Sequence, residues 1–258
     1  MMTEITPGLR VLVTAGAAGI GYAIASAFAK AGARIHVCDV VPEVLANCAK
    51  QHPDWGMTQC DVSDYAQVEK LFKDVQNKLG GLDVLVNNAG IAGPTGGVEA
   101  ISADDWRRTI DVNLNSQFYC THLAVPMLRQ SKDASIICIS SVAGRLGYAQ
   151  RTPYSTTKWA IIGFMKSLAQ ELGPEGIRVN AILPGIVEGP RIEKVISARA
   201  IALGKSYDDM KKDYLNKISL RRMVSPDDVA NMALYLCSPL GRNVSGQPIS
   251  VCGNVETL

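Results

Sequence analysis

Short apolar runs rich in β-branched residues alternate along this chain with longer stretches whose apolar positions recur every three to four residues. Residues 9–14, 34–38, 56–60, 82–87, 135–140, 177–182 and 248–252 read as strands. Residues 18–31, 42–50, 64–79, 102–130, 153–172 and 190–217 read as helices, and a further helix starts at Ser225. Ser102 with Asp105 three residues on is a capping-type helix start, and Pro126 predicts a kink in that helix. Pro226 fits the first turn of the last helix. Strict alternation of strand and helix predicts a parallel sheet covered on both faces, an α/β doubly wound architecture. No repeat, linker or low-complexity stretch interrupts the pattern. The expectation is one domain over residues 1–258, with 186–222 as a lid-like insertion over the substrate.

Composition removes several alternatives. Of 258 residues, 47% are hydrophobic and 19% charged, which excludes a disordered chain. A net charge of +2 gives no strong field for nucleic acid. No apolar run approaches the ~20 residues a membrane-spanning helix needs. MMTEITPGLR lacks the apolar segment of a secretory signal. The seven cysteines include no CxxC pair and no cluster at zinc spacing, so no metal is expected. Cys38, Cys60 and Cys138 lie in or beside strand-like runs and read as small buried hydrophobes. The expected location is a reducing cytoplasm.

The first strand ends in Thr14-Ala-Gly16-Ala-Ala-Gly19-Ile-Gly21, and a helix opens at once. Such glycines let the backbone approach a pyrophosphate, which the helix N-terminus favours. Alone, the triplet equally marks a tight strand–helix turn. The second strand ends at Asp39. A carboxylate there accepts hydrogen bonds from ribose hydroxyls and repels a 2′-phosphate, which predicts NAD over NADP. Ala17, Ala18, Val40 and Val41 offer that phosphate no basic group. Tyr154 and Lys158, four residues apart, share one helical face. A phenol is a poor base at neutral pH, and a neighbouring ammonium favours its ionised form. That makes Tyr154 a candidate general acid or base.

Taken together, these motifs resemble the short-chain dehydrogenase/reductase family. The resemblance covers residues 8–254. It rests on the Gly16–Gly21 loop, Asp61-Val62, Asn87-Asn88-Ala89-Gly90, Asn113, Ser140-Ser141, Tyr154 to Lys158, and Pro184-Gly185. It implies a seven-stranded Rossmann fold, hydride transfer between an alcohol or carbonyl carbon and a nicotinamide, and a homotetramer. By the same resemblance, Ser141 polarises the substrate oxygen and Tyr154 passes the proton. Lys158 binds the nicotinamide ribose, and Asn113 kinks its helix and holds a relay water. Gly16, Ala18, Gly19, Ile20 and Gly21 hold the pyrophosphate, while Asp61 and Val62 neighbour the adenine. Asn88, Ala89 and Gly90 line the cofactor, Pro184, Gly185 and Val187 flank the nicotinamide, and Asn87 ties the central strands. Two departures stand out: Cys252-Gly253-Asn254 replaces a usual Asp-Gly-Gly, and Glu188 follows Val187 where a hydroxyl residue is common.

The segment between Ser141 and Tyr154, with Arg145, Leu146, Tyr148, Gln150 and Arg151, reads as a substrate-pocket wall. A second wall starts at Gly93. Arg191 is a candidate for an anionic substrate, against the plainer reading of 190–222 as a solvated charged face. Ile192, Val195, Ile196, Ile201 and Leu203 are candidates to face the pocket. Trp55, Trp106 and Trp159 read as packing residues, and the three histidines are not placed for catalysis. The leading expectation is an NAD-dependent oxidoreductase interconverting a secondary alcohol and a ketone, with no nucleic-acid or membrane partner. The alternatives are a 3-oxoacyl-carrier-protein reductase and a non-catalytic dinucleotide-binding regulator.

Overall fold

The computed structural model describes residues 5–255, without the side chains of Arg191, Ala198, Arg199 and Ala202. Seven strands form one sheet: β1 (Arg10–Thr14), β2 (Arg34–Asp39), β3 (Gly56–Gln59), β4 (Val84–Asn87), β5 (Ser135–Ile139), β6 (Arg178–Pro184) and β7 (Pro248–Val251). Their order is β3-β2-β1-β4-β5-β6-β7, and every pairing is parallel. All residues of β4 and β5 are buried, as strands covered on both faces must be. This is a single-domain Rossmann fold. The strand order reverses between β1 and β4, which opens a crevice at the carboxyl ends of the strands.

Nine α-helices are described: α1 (Gly19–Lys30), α2 (Pro42–Gln51), α3 (Tyr65–Leu79), α4 (Ala103–Ile110), α5 (Ser116–Leu128), α6 (Thr152–Leu172), α7 (Pro190–Ala202), α8 (Tyr207–Asn216) and α9 (Pro226–Cys237). Alternate strand residues feed two cores. Val11, Val13, Val84 and Val86 pack with Ile24, Phe28, Val229 and Ala233 of α1 and α9. Leu12, Leu85 and Ile136 pack with Leu71, Ala124, Ile161 and Met165 of α3, α5 and α6. Burial pushes the Cys138 thiol up to about 12, so it sits in the core as a neutral hydrophobe.

The helix expected over 102–130 is two. Ser102 caps α4 by accepting from Asp105 N at 3.0 Å. The run is then interrupted by a wide π turn at Asp111–Asn115 before α5 begins. The interruption falls there and not at Pro126, which lies inside α5. At its centre the Asn113 amide turns inward to bond the backbone of Ile91, a pull that regular winding does not supply. The helix expected over 190–217 is also two. Gly204 takes a positive φ of 62°, and Ser206 caps α8 by accepting from Asp209 N at 3.1 Å. Ser225 and Asp228 form a full capping box at α9. No described helix is long and apolar enough to cross a membrane.

Candidate active site

At the carboxyl ends of β1, β4, β5 and β6 lies a cavity of about 470 Å³. Its floor is the turn from β1 into α1. Gly16 N donates to Cys38 O at 3.0 Å, which anchors the turn to β2. A Cβ on Gly21 would lie 2.2 Å from Ala15 O and 2.5 Å from Asn88 Nδ2, so only glycine lets the turn fold this tightly. Thr14 Oγ1 accepts from the amides of Asn88 and Ala89 at 2.9 and 3.0 Å. Asn88 Nδ2 returns bonds to Thr14 O and Ala15 O at 2.9 and 3.1 Å. Ala18 caps α1 without a side-chain bond, leaving the first helical amides facing the cavity region.

Ala18, Gly19, Ile20, Gly21, Asn88 and Gly90 line this floor, and Asp39 lines the cavity at the end of β2. Asp39 Oδ1 accepts from Val41 N at 3.2 Å, and Val40 and Val41 beside it are exposed. Gly16 and Ala89 are buried behind the floor. Asp61 and Val62 do not line the cavity. Asp61 instead accepts from Arg108 Nη2 at 3.0 Å and Ser63 Oγ at 2.6 Å. Partial burial works against the Asp61 carboxylate, but the bonds from Ser63 and Arg108 outweigh it and hold its pKa below the ordinary value.

Ser141, Tyr154 and Lys158 line the same cavity. Ser141 caps the short turn after β5, where its Oγ accepts from Ala143 N at 3.2 Å. Its neighbour Ser140 also lines the cavity, but its hydroxyl is spent donating to Lys158 O at 2.7 Å. Lys158 is 4% exposed; its Nζ donates to Ile139 O at 3.0 Å and lies 5.5 Å from the Tyr154 ring centre. Asn113 stands one layer behind. Its Oδ1 accepts from Ile91 N at 2.7 Å, and its Nδ2 donates to Ile91 O and Thr157 Oγ1 at 3.0 and 3.1 Å. A Cβ on Gly90 would lie 3.3 Å from Asn113 Oδ1 and 3.6 Å from Lys158 Nζ, so both flank that glycine.

Pro184, Gly185 and Val187 line the third side. Glu188 N donates to Val224 O at 2.8 Å, and Val224 N to Ile186 O at 2.9 Å, which pins the segment before α7. Cys252 packs on Gly185, whose Cβ would meet it at 2.8 Å. Ile192 and Val195 reach the cavity from α7, as do Tyr214 and Lys217 from α8 and its end. Ile196 is buried between α7 and α8, while Ile201 and Leu203 point to solvent.

Several expected pocket residues lie elsewhere. Tyr148 lines the cavity, but Arg145 turns to β7, bonding Pro248 O and Ser250 Oγ. Gly93 packs on Thr109, and Gln150 uses its carbonyl to accept from Gly96 N at 2.9 Å; neither lines the cavity. The Arg191 side chain lies outside the described residues. Asn87 Nδ2 donates to Thr121 Oγ1 of α5 at 3.1 Å, and its side chain also bonds the Cys138 thiol, so it ties β4 to a helix and to the neighbouring strand β5. Trp55 is buried against His52, but Trp106 and Trp159 are exposed. Thr14 carries more of the site than its sequence pattern suggests, joining the two sides of the floor, and Arg151, expected in the pocket wall, does reach the cavity beside Tyr154.

A family model described as enoyl-(acyl carrier protein) reductase matches residues 15–254. The chain belongs to the short-chain dehydrogenase/reductase family. It is an oxidoreductase of that family, whose members bind a nicotinamide dinucleotide and act on alcohol or ketone substrates. It is 35% identical to D-β-hydroxybutyrate dehydrogenase of Cupriavidus necator over 245 residues, 93% of this chain and 94% of that protein. It is 34% identical to a 3-oxoacyl-[acyl-carrier-protein] reductase of Aquifex aeolicus over 253 residues, 95% of this chain and 96% of that one. Among solved structures it is similar to a single-residue variant of actinorhodin polyketide ketoreductase with NADPH. There the TM-score is 0.91 at 31% identity, covering 96% of this chain and 97% of that one.

Proposed function

We propose that this short-chain dehydrogenase/reductase is NAD-dependent and interconverts a secondary alcohol and a ketone, with Tyr154 as general acid and base. The observation that carries the reading is that Ser141, Tyr154 and Lys158 share one cavity with the glycine turn. The residues fit a dinucleotide: the Gly21 cradle leaves no room for a side chain, and Asp39 marks the adenosine end. Gly19, Ile20 and the first amides of α1 would hold its pyrophosphate. Pro184, Gly185 and Val187 would flank its nicotinamide. Bound there, it supplies the hydride acceptor.

The rest falls to the chain. Ser141 Oγ holds the substrate oxygen. Tyr154 takes the hydroxyl proton in oxidation and returns it in reduction. Buried Lys158 stabilises negative charge that develops on the phenol during transfer. Asn113 acts as a positioning residue, because its side chain is spent on Ile91 and Thr157. Tyr154→Phe tests the scheme. It is expected to lower kcat by about 10²–10⁴-fold while NADH still binds. Retained turnover removes Tyr154 from the proton path.

NAD over NADP rests on Asp39 and the absence of any basic side chain at Val40 and Val41. The second reading, a 3-oxoacyl-carrier-protein reductase, is favoured by the likeness to the Aquifex aeolicus reductase. Assembly as a homotetramer is part of the proposal. Phe118 on α5 and Trp159 on α6, 52% and 53% exposed, offer apolar surface for it.

A further inference from the structure

We propose that Arg151 makes this a site for short hydroxy and oxo carboxylic acids, its guanidinium receiving the substrate carboxylate beside Tyr154. The inference rests on the alcohol–ketone reading above and narrows it to a substrate class.

Arg151 immediately precedes α6, three residues before Tyr154. Its guanidinium carbon lies 5.4 Å from the ring centres of both Tyr148 and Tyr154, so two aromatic rings flank it. Nη2 donates to Ala92 O at 2.9 Å. That bond braces the segment after Ser141 against the segment after β4. It leaves the rest of the fork unused. Nε is buried and has no hydrogen-bond partner. Among the described residues no carboxylate forms an ion pair with Arg151. Nε is closed to the cavity, so a ligand there meets the outer guanidinium nitrogens, which form charge-assisted bonds to the oxygens of a carboxylate.

The cavity places that partner. Arg151, Tyr148 and Tyr154 all line it. Ile186, Ile192 and Val195 line the same cavity, apolar surface suited to an aliphatic chain. A cofactor pyrophosphate held by the glycine turn leaves Arg151 for the substrate. A carboxylate on Arg151 and an oxygen at Tyr154 are then only a few bonds apart, as in a 2- or 3-hydroxy acid. Two plainer roles remain distinguishable. A brace alone accounts for the bond to Ala92 but not for a guanidinium that lines the cavity with no carboxylate partner among the described residues. A group that only favours proton transfer at Tyr154 acts on every substrate alike.

The test measures kcat/KM of the full enzyme with NAD for 3-hydroxybutyrate, lactate, their methyl esters and neutral secondary alcohols. The expected result is a preference of about 10- to 100-fold for an acid over its own ester. Arg151→Gln is expected to abolish that ratio and Arg151→Lys to keep most of it. Independently of any variant, butyrate is expected to inhibit turnover of a neutral alcohol competitively in the wild type. Equal use of acid and ester, or a ratio unchanged in Arg151→Gln, overturns the proposal. So does failure of butyrate to compete. In those cases turnover of neutral alcohols keeps the broader reading intact. If NADH does not bind and no alcohol of any kind reacts, the broader reading fails and takes this one with it.

Discussion

The hydroxyl of Thr14 accepts hydrogen bonds from two successive backbone amides, those of Asn88 and Ala89, and so locks the glycine turn to the end of β4. Asn88 closes the link from the other side through Thr14 O and Ala15 O. The floor of the cavity is therefore one rigid piece built from two strands. Thr14→Val keeps the volume but orphans both amides, each worth about 1–3 kcal/mol when buried without a partner. Lower urea stability and weaker NADH binding are expected by titration, with Thr14→Ser restoring both. Normal binding in Thr14→Val would show that the amides find other partners.

Asp39 decides between two coenzymes. Its carboxylate repels a 2′-phosphate, and neither Val40 nor Val41 offers that phosphate a counter-charge. The wild type is expected to favour NAD by about 1–3 kcal/mol, about 5- to 150-fold in kcat/KM. Asp39→Ala is expected to lose most of that ratio. A wild type that prefers NADP refutes the assignment and lifts the carrier-protein reductase reading to first place.

His36 gives the fold a pH dependence of its own. Its Nε2 lies 3.0 Å from Thr58 Oγ1, and Thr58 donates to Asp74 at 2.9 Å, so the ring is the donor toward Thr58. Its Nδ1 is buried without a partner. Burial, only partly offset by Asp74, pushes its pKa down to about 4. The unfolded chain takes up that proton near the ordinary pKa of about 6.5, before the folded chain does. Stability is then unaffected above that value and falls as the pH drops from about 6.5 toward 4, by about 2 kcal/mol at pH 5. Urea unfolding at pH 7.5 and pH 5 measures the slope. His36→Gln should flatten it by that amount, and an unchanged slope would place the lost stability elsewhere.

Asn113 is completely buried and makes three side-chain bonds. Asn113→Ala leaves the Ile91 amide unpaired, and a cost of about 1–3 kcal/mol is expected. A larger loss in kcat than in NADH affinity would mark it as positioning Lys158 and the wall behind Gly90. Equal losses in both would make it a purely structural tie.

Strand positions, the glycine turn and the clustering of Ser141, Tyr154 and Lys158 were all legible in the sequence, because they depend on local pattern and on strand ends. The break between α7 and α8 was also written there. Gly204, then Ser206 with Asp209 three residues on, is a stop followed by a cap, and the run of charged residues masked it. The interruption at Asn113 was legible through the family resemblance, which put a kink there, but its cause was not, since it depends on Asn113 reaching Ile91, 22 residues away in the chain. Arg145 and Arg151 illustrate the same limit. Both lie in one loop, yet Arg145 finds the carbonyl of Pro248 and Arg151 that of Ala92. Long-range acceptors, invisible to spacing, sort one outward and the other into the cavity.

The wide turn at 111–115 amounts to a spare residue spliced into a helical run. A π turn holds one residue more than the α turn it replaces, so trimming one residue there lets α4 and α5 join into regular winding with their buried faces still aligned. Such a shortened chain would assemble the same sheet and cover it with the same helices. What it would forfeit is the inward reach to Ile91, and with it the support beneath the reacting groups. Capacity for chemistry here is stored as a local excess of length that backbone economy alone would discard.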